Sequence, residues 1–420
     1  MPRNDLKPHF DAVIVGGGAA GFFTAINLKQ RNPNLKISIL EATKRPLAKV
    51  KISGGGRCNV THSCFTPREL VSNYPRGCRE LISVFHRFQP QDTIEWFKSQ
   101  GIHLKTEKDG RMFPSSNKSQ SIIDCFQRLR QELEIPLVEG SRVKDITHKK
   151  EIFTVSLGNE ASITARTIVM ATGSDPRGID LLSKLGQPLV DPVPSLFTFK
   201  VNIHNLPELA GQVVQNAKVN LSIGKKKLSQ QGPVLFTHWG LSGPAILKLS
   251  AFGARELKAS QYQAELSIDW LPHLSQELLK AQLKQAKEQL GNKSIIRTPP
   301  TDLNLTKRLW RFFCHQAEIP ETRTWSEISK AHGGQLLTLL KGYQCKVHGK
   351  GIFKDEFVTA GGVDLKSIDF KSLMSKKIKG LYFAGEVLNI DGITGGFNFQ
   401  NAWSTGWIAA QNISESLSTQ

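Results

Sequence analysis

Cysteine is scarce and scattered. The six thiols, Cys58, Cys64, Cys78, Cys125, Cys314 and Cys345, show no C-x-x-C spacing in 420 residues. That excludes a disulfide framework and a cysteine zinc site, and predicts reduced thiols in a cytoplasmic protein without metal. No apolar run reaches the roughly 18 residues a membrane-spanning helix needs. Met1 to Phe10 holds no apolar stretch of the secretory kind, so no export signal is expected. Acidic residues are in deficit: 36 Asp and Glu face 55 Lys and Arg, a net charge of +19. The excess is uneven, with +9 in residues 1–191, +11 in residues 192–355 and −1 in the remainder. Such a balance points to a polyanionic partner, weighed against a basic surface that only confers solubility. The length suits two or three domains, each with its own core.

What is present begins near the N-terminus. The apolar run Ala12 to Val15 predicts a buried strand, and Gly16, Gly18 and Gly21 follow it as G-x-G-x-x-G. Ala19 to Gln30 reads as a helix that stops near Pro33, and Lys36 to Leu40 as a second strand ending at Glu41. This is the dinucleotide-binding βαβ pattern with its acid in place. Gly16 permits the tight turn, Gly18 the approach of a pyrophosphate, and Gly21 close packing of helix on strand. The N–H groups around Ala19 and Ala20 would face the pyrophosphate, and Glu41 the adenosine ribose.

A second glycine cluster follows at once. Lys49, Lys51 and Arg57 surround Ser53-Gly54-Gly55-Gly56, and Cys58 and Asn59 close the stretch. Three successive glycines expose backbone N–H groups and admit a flat or charged ligand. The segment is expected to continue the cofactor site from phosphate toward the reactive ring. Cys58 could donate a proton to a substrate carbon, with Arg57 lowering its pKa. The competing reading is a small side chain packed beside the cofactor.

Residues 65–135 read as mainly helical, with a hairpin turn at Asp109-Gly110 and an amphipathic helix over 122–133. Arg68, Arg76, Arg79, Arg87, Arg111 and Lys118 read individually as solvated charges. Residues 137–170 alternate like strands, and Ile168 to Met170 runs into Ala171-Thr172-Gly173, a turn expected near the adenosine.

Pro192-Val193-Pro194 marks a boundary. Short alternating segments over 192–274 predict a β-barrel-like domain, with Lys225, Lys226 and Lys227 at a turn. His238, in a turn-rich break, reads as a second proton donor or substrate contact, or equally as a structural hydrogen-bonding histidine. Residues 275–345 read as a helical domain. Lys280, Lys284 and Lys287 share one helix face. Lys307, Arg308 and Arg311 are interleaved with Trp310, Phe312 and Phe313, a composition that suits RNA as well as it suits a solvated face over core aromatics. From 346 the first domain resumes, with a strand over 357–363, another over 381–383 running into Gly385 and Glu386, and Gly395-Gly396-Phe397-Asn398 opening the last helix. A helix start there could stabilise negative charge on a reduced flavin, and Glu386 could meet the ribityl chain.

In this order, Ile52 to Asn59, Phe236-Thr237-His238 through Ser242-Gly243-Pro244, Thr359 to Val363, and Phe383 to Glu386 through Gly395 to Asn398 resemble the BaiN/RdsA family of bacterial FAD-dependent oxidoreductases, over essentially the whole chain. The resemblance implies an α/β protein: a Rossmann-like FAD-binding domain of the two-dinucleotide-binding-domain flavoprotein type (1–191 and 346–420), interrupted by the barrel-like and helical domains. Ser174, Gly232-Pro233 and Asn389 depart from the family pattern without touching the phosphate-binding glycines. Some members are described as reducing uridine to dihydrouridine in large-subunit (23S) ribosomal RNA, others as acting on small organic molecules. The basic insert favours the RNA, for which Lys225 to Lys227, Lys280, Lys284, Lys287, Lys307, Arg308 and Arg311 are the expected contacts. No second strand–G-x-G-x-x-G–helix unit is present, so NAD(P)H is expected to visit the flavin only transiently as reductant.

Overall fold

The computed structural model describes residues 8–158, 160–351 and 358–418. The first seven residues and Phe357, which entered the leader and strand expectations, lie outside them. The chain divides into two units, one comprising Met1–Val193 with Val358–Gln420 and the other Pro194–Phe357.

In the first unit the run Val13-Ile14-Val15 is β-branched and wholly apolar, as a strand covered on both faces must be. It forms the strand His9–Val15, parallel to Ile37–Leu40 on one side and Ser162–Met170 on the other. Leu381–Phe383 and Leu137–Val138 extend the parallel core outward, and antiparallel strands complete nine among the described residues. The register pairs Val15 with both Leu40 and Met170, and Met170 with Phe383. Four strands therefore end level, and Gly16, Glu41, Ala171 and Ala384 begin four loops along one sheet edge. Ligands of open α/β sheets bind at this carboxyl edge.

Helix Ala19–Arg31 buries Phe22, Phe23, Ile26 and Leu28. It stops before Pro33, where Lys29 Nζ donates to the carbonyls of Pro33 (2.6 Å) and Leu35 (2.9 Å). The last helix, Phe397–Ser418, lies against it. Close approach is possible because Gly406 has no side chain: a Cβ there would stand 2.8 Å from Thr24 Oγ1. Around this contact Phe23, Phe97, Phe126 and Trp403 pack tilted and edge-to-face in an aromatic cluster with centroid separations of 5.2–5.9 Å.

The chain leaves this unit along Leu189–Ser195 and returns along Val358–Val363, paired with it. The second unit is a closed six-stranded barrel in the order Phe199–Val201, Gly240–Ser242, Lys226–Phe236, Val213–Ile223, Ala264–Asp269, Tyr343–Lys350. The last strand comes after the helices Gln276–Leu290, Lys307–Gln316 and Lys330–Gly342. This corrects the expected boundary at 345, because Tyr343–Lys350 pairs with Ala264–Asp269 and Phe199–Val201 to close the barrel. Nor do the helices form a core of their own. Trp270 contacts Phe236 and Tyr343 from the barrel and Phe313 from the helix Lys307–Gln316, and one apolar cluster spans both.

Trp310 and Phe313 have no exposure and Phe312 has 7%. Of the two readings of this stretch, the structure takes the solvated face over core aromatics: the aromatics pack inward while Lys307, Arg308 and Arg311 face solvent. Among the described residues no helix is long and apolar enough to cross a membrane, and no cluster of metal-ligating side chains forms.

Candidate functional site

The helix after the first strand begins at Gly18 with no side-chain cap and no acid in its first turn. Its first N–H groups and positive dipole end are left for an anion. A Cβ at Gly18 would have no atom within 4 Å, whereas one at Gly21 would stand 1.9 Å from the Gly16 carbonyl oxygen. The first glycine keeps open space above the helix start; the last permits the packing that forms the turn.

Glu41 faces this turn from the end of the second strand. Its Oε2 accepts from Gly17 N (2.8 Å), and its Oε1 from Thr43 N and Oγ1 (both 2.8 Å). The carboxylate is thus held in position before any ribose arrives. From the opposite side Gly385, at φ +77°, donates its N–H to Thr405 Oγ1 (2.9 Å) and lies so near Ala20 that a Cβ would meet that residue's Cβ at 2.9 Å. Glu386 Oε2 pairs with Lys49 Nζ at 2.7 Å, Lys49 also reaches Ser174 Oγ at 3.2 Å, and Glu386 Oε1 accepts from Thr359 N at 3.3 Å. Gly173, at φ +59°, lies beside this pair. Gly16 to Gly21, Glu41, Lys49, Ala171 to Gly173, Gly385 and Glu386 therefore converge on one region.

The second glycine cluster starts as helix and then departs from it. Ser53 is extended (ψ 149°), and Gly54 and Gly55 take left-handed angles (φ +57° and +68°). Arg57 pairs with Glu107 (2.6 Å) and lies over the Phe113 ring, 4.0 Å from its centroid. Cys58 is wholly buried, and desolvation pushes its thiol up to about 12, against a smaller lowering by Ser53. The expectation that Arg57 lowers this pKa is corrected, since burial dominates and the guanidinium is committed to Glu107.

Asn59 joins this loop to the C-terminal helix start. With its amide oriented to satisfy both ends, the oxygen accepts from Gly396 N (2.9 Å) and the nitrogen donates to the carbonyls of Thr61 (3.0 Å) and Met112 (3.2 Å). Gly395 and Gly396 have φ of +136° and +93°. The Phe397 ring is buried, stacked on His62 (4.8 Å), and its carbonyl accepts from Tyr74 Oη (2.6 Å). Asn398 bonds both backbone groups of Gly392 at 2.8 Å.

Two supports escaped the sequence reading. Arg76 is not a solvated charge: its Nε and Nη2 donate to the two carboxylate oxygens of Asp391, which has no exposure. Gln400, fully buried, accepts from Thr61 Oγ1 (2.5 Å) and Thr93 Oγ1 (3.0 Å) and donates to Ser404 Oγ (2.9 Å). Neither has a local signal, because Asp391 lies 315 positions from Arg76, and Thr61 and Thr93 lie 339 and 307 positions from Gln400. Arg87 and Arg111 are likewise engaged, with Lys371 O (2.5 Å) and Asp109 (2.7 Å).

A dinucleotide fits these residues. The helix start is uncapped, space is open over Gly18, Gly55 and Gly56, and the buried Thr172 Oγ1 and Asn401 Oδ1 have no partner among the described residues.

The remaining expected residues lie on the second unit and do not form one group. Lys225 to Lys227 occupy the hairpin between two long strands, with Lys226 paired to Glu256 (3.1 Å). Lys280, Lys284 and Lys287 are exposed on Gln276–Leu290. Lys307, Arg308 and Arg311 are exposed on Lys307–Gln316. His238 is exposed in a tight turn in which Thr237 N donates to Gly240 O (2.9 Å).

Residues 10–412 match the family model described as HI0933-like protein Rossmann domain. A ribosomal RNA dihydrouridine synthase of Escherichia coli is 28% identical, over 96% of this chain and 98% of its own. A 3-dehydro-bile acid delta(4,6)-reductase of Clostridium scindens is 27% identical over the same shares, 96% and 98%. Among solved structures, a 3-ketosteroid delta1-dehydrogenase from Sterolibacterium denitrificans shares the fold at 10% identity and TM-score 0.51, covering 97% of this chain and 100% of that one.

Proposed function

Because the chain belongs to the HI0933-like family, a family of FAD-dependent oxidoreductases, we propose that it is an NAD(P)H-driven enzyme that reduces uridine to dihydrouridine in large-subunit (23S) ribosomal RNA. The observation that carries this reading over a small-molecule substrate is the inserted segment 192–355, which has a net charge of +11 and exposes Lys and Arg on three separate elements. A neutral metabolite has no use for such a surface; a polyphosphate chain does. The relative from Escherichia coli is named for this reaction, at nearly the same identity as the bile-acid reductase.

FAD, when bound, supplies a hydride for C6 of the uracil, and a proton must then reach C5. The protein's part is to hold the cofactor and move that proton. Gly16 to Gly21 and the Ala19–Ala20 helix start would hold the pyrophosphate, Glu41 the ribose, Lys49 and Glu386 the middle of the cofactor, and the Ser53–Asn59 and Gly395–Asn398 turns its ring end. Of the two expected donors, Cys58 is buried with a thiol near pKa 12. A thiol held so strongly protonated and sealed from solvent is a poor acid catalyst. His238 is exposed, so it is proposed as the acid and Cys58 as packing.

The test compares dihydrouridine in ribosomal RNA from wild-type and deletion strains. One lost modification, restored by the plasmid-borne gene, supports the reading. An unchanged RNA, with flavin turnover on an enone substrate instead, transfers the protein to the small-molecule reductases.

A further inference from the structure

We infer that the second unit carries a phosphate-binding cleft between helix Lys307–Gln316 and the loop that follows the barrel strand Phe199–Val201. The helix periodicity divides its residues cleanly. Leu309, Trp310 and Phe313 fill the core. Arg308, Arg311 and His315, at i, i+3 and i+7, take the outer face. Opposite them stand His204 and Glu208, and the open cleft between measures about 460 Å³, within the range of ordinary ligand pockets.

Among the described residues neither arginine of this cleft is ion-paired. Arg311 has no hydrogen-bond or ion-pair partner among the described residues, and Arg308 makes one long contact, 3.5 Å to Ala210 O. Glu208 lines the cleft, yet pairs with neither arginine. His315 has its own acid, Glu321, at 2.9 Å. Two guanidinium forks one helical turn apart line the same cleft, and a guanidinium binds phosphate oxygens in pairs. The ligand chemistry is therefore a phosphate ester. Its source is the backbone of a single-stranded RNA segment, or the phosphates of a free nucleotide; the first rests on the proposed RNA substrate, the second does not.

The experiment uses the full-length FAD-loaded protein, wild type, R308Q/R311Q and R308K/R311K. Each is titrated by fluorescence anisotropy with a uridine-rich single-stranded 12-mer over a salt series, and by calorimetry with NADPH, ADP and inorganic phosphate. Thermal midpoint and FAD content check that the exposed substitutions leave the fold intact. The Gln pair is expected to weaken RNA binding at least about tenfold. It should also flatten the plot of log affinity against log salt by about 1.4, the value for two contacts on a single strand. The Lys pair, which keeps the charges, should keep the slope. If the wild type ignores the 12-mer but binds a free nucleotide in an Arg308- and Arg311-dependent way, the cleft stands and the RNA reading falls. Tight RNA binding with no change in either double variant overturns the cleft and leaves the RNA reading intact. Failure of every phosphate probe to bind overturns the cleft outright.

Discussion

Arg76 and Asp391, 315 positions apart, meet in a two-point ion pair whose carboxylate is sealed from solvent. The pair fastens the segment leading to Gly395 and Gly396 onto the turn at Gly77, where a Cβ would press on Ile390 at 2.6 Å. Removing one partner of a buried pair costs more than the pair itself contributes, because the other charge stays unsolvated. Asp391→Asn is expected to lower stability by about 3–5 kcal/mol and to reduce retained FAD. Replacing both partners, Arg76→Met with Asp391→Leu, should recover much of the stability. Denaturant melts and flavin absorbance after desalting read both; a single variant as stable as wild type would sink the argument.

The glycine turn makes a sharper contrast. Gly18→Ala adds a methyl to open space at an ordinary φ of −90°, so the apoprotein should melt as wild type does while FAD affinity falls. Gly21→Ala drives its methyl to 1.9 Å from the Gly16 carbonyl, so it should fail at folding. Apoprotein thermal melts and FAD fluorescence titrations separate the two losses. Equal folding defects in both variants would refute the assignment of Gly18 to the ligand.

That contrast bears on how much was legible beforehand. The first βαβ unit could be read because its signals are local: a buried apolar run, glycines at fixed spacing, and an acid at the next strand's end. Other features depend on partners that chain order hides. Tyr343–Lys350 could not be assigned to the barrel from its own residues, since closure depends on strands beginning at 199 and 264. Trp310 and Phe313 sit among cations in the sequence, and only the 3.6-residue turn, with Trp325 stacked on Trp310 at 5.9 Å, sends them inward. Arg76 looked like any surface arginine because Asp391 lies in the returning half of the chain. Cys58 carries two sequence readings, a proton donor beside Arg57 and a small packed side chain, and its complete burial accords with the second.

Thiol reactivity tests the burial. Cys58, Cys125, Cys314 and Cys345 are buried; Cys64 and Cys78 are half-buried. Desolvation raises Cys58 and Cys345 to about 12 and Cys125 to about 11, and raises Cys314 and Cys64 as well. A thiol-specific chromogenic reagent at pH 8 should therefore modify Cys78 readily and Cys64 more slowly, and leave the other four until denaturant is added. The linkage has a fixed sign. A thiol held above its unfolded pKa of 9.0 contributes stability that is complete below about pH 9 and is lost as pH rises toward 12. Melts from pH 8 to 11 should fall progressively, and Cys58→Ala should flatten that fall. A fast-reacting Cys58 in the native protein would reopen its role as an acid.

The proposed reduction by NAD(P)H and the proposed transfer to uridine are separable in time, and measuring them apart tests where the proton comes from. No second dinucleotide motif exists to hold NAD(P)H, so flavin bleaching in a stopped-flow trace should depend on nicotinamide concentration without saturating at low micromolar levels. A missing general acid slows only the transfer step, by about 10²–10⁴-fold. His238→Gln should therefore leave the reductive phase near wild type and slow reoxidation by a uridine-containing ribosomal RNA fragment by that factor. Its imidazole is exposed at the Thr237–Gly240 turn, so the substitution carries little folding risk. Cys58→Ala should act through stability and FAD content instead, with reoxidation per bound flavin slowed by much less. If Cys58→Ala shows the large selective loss and His238→Gln does not, the donor is the buried thiol, and access to it requires the Ser53–Asn59 loop to open during turnover.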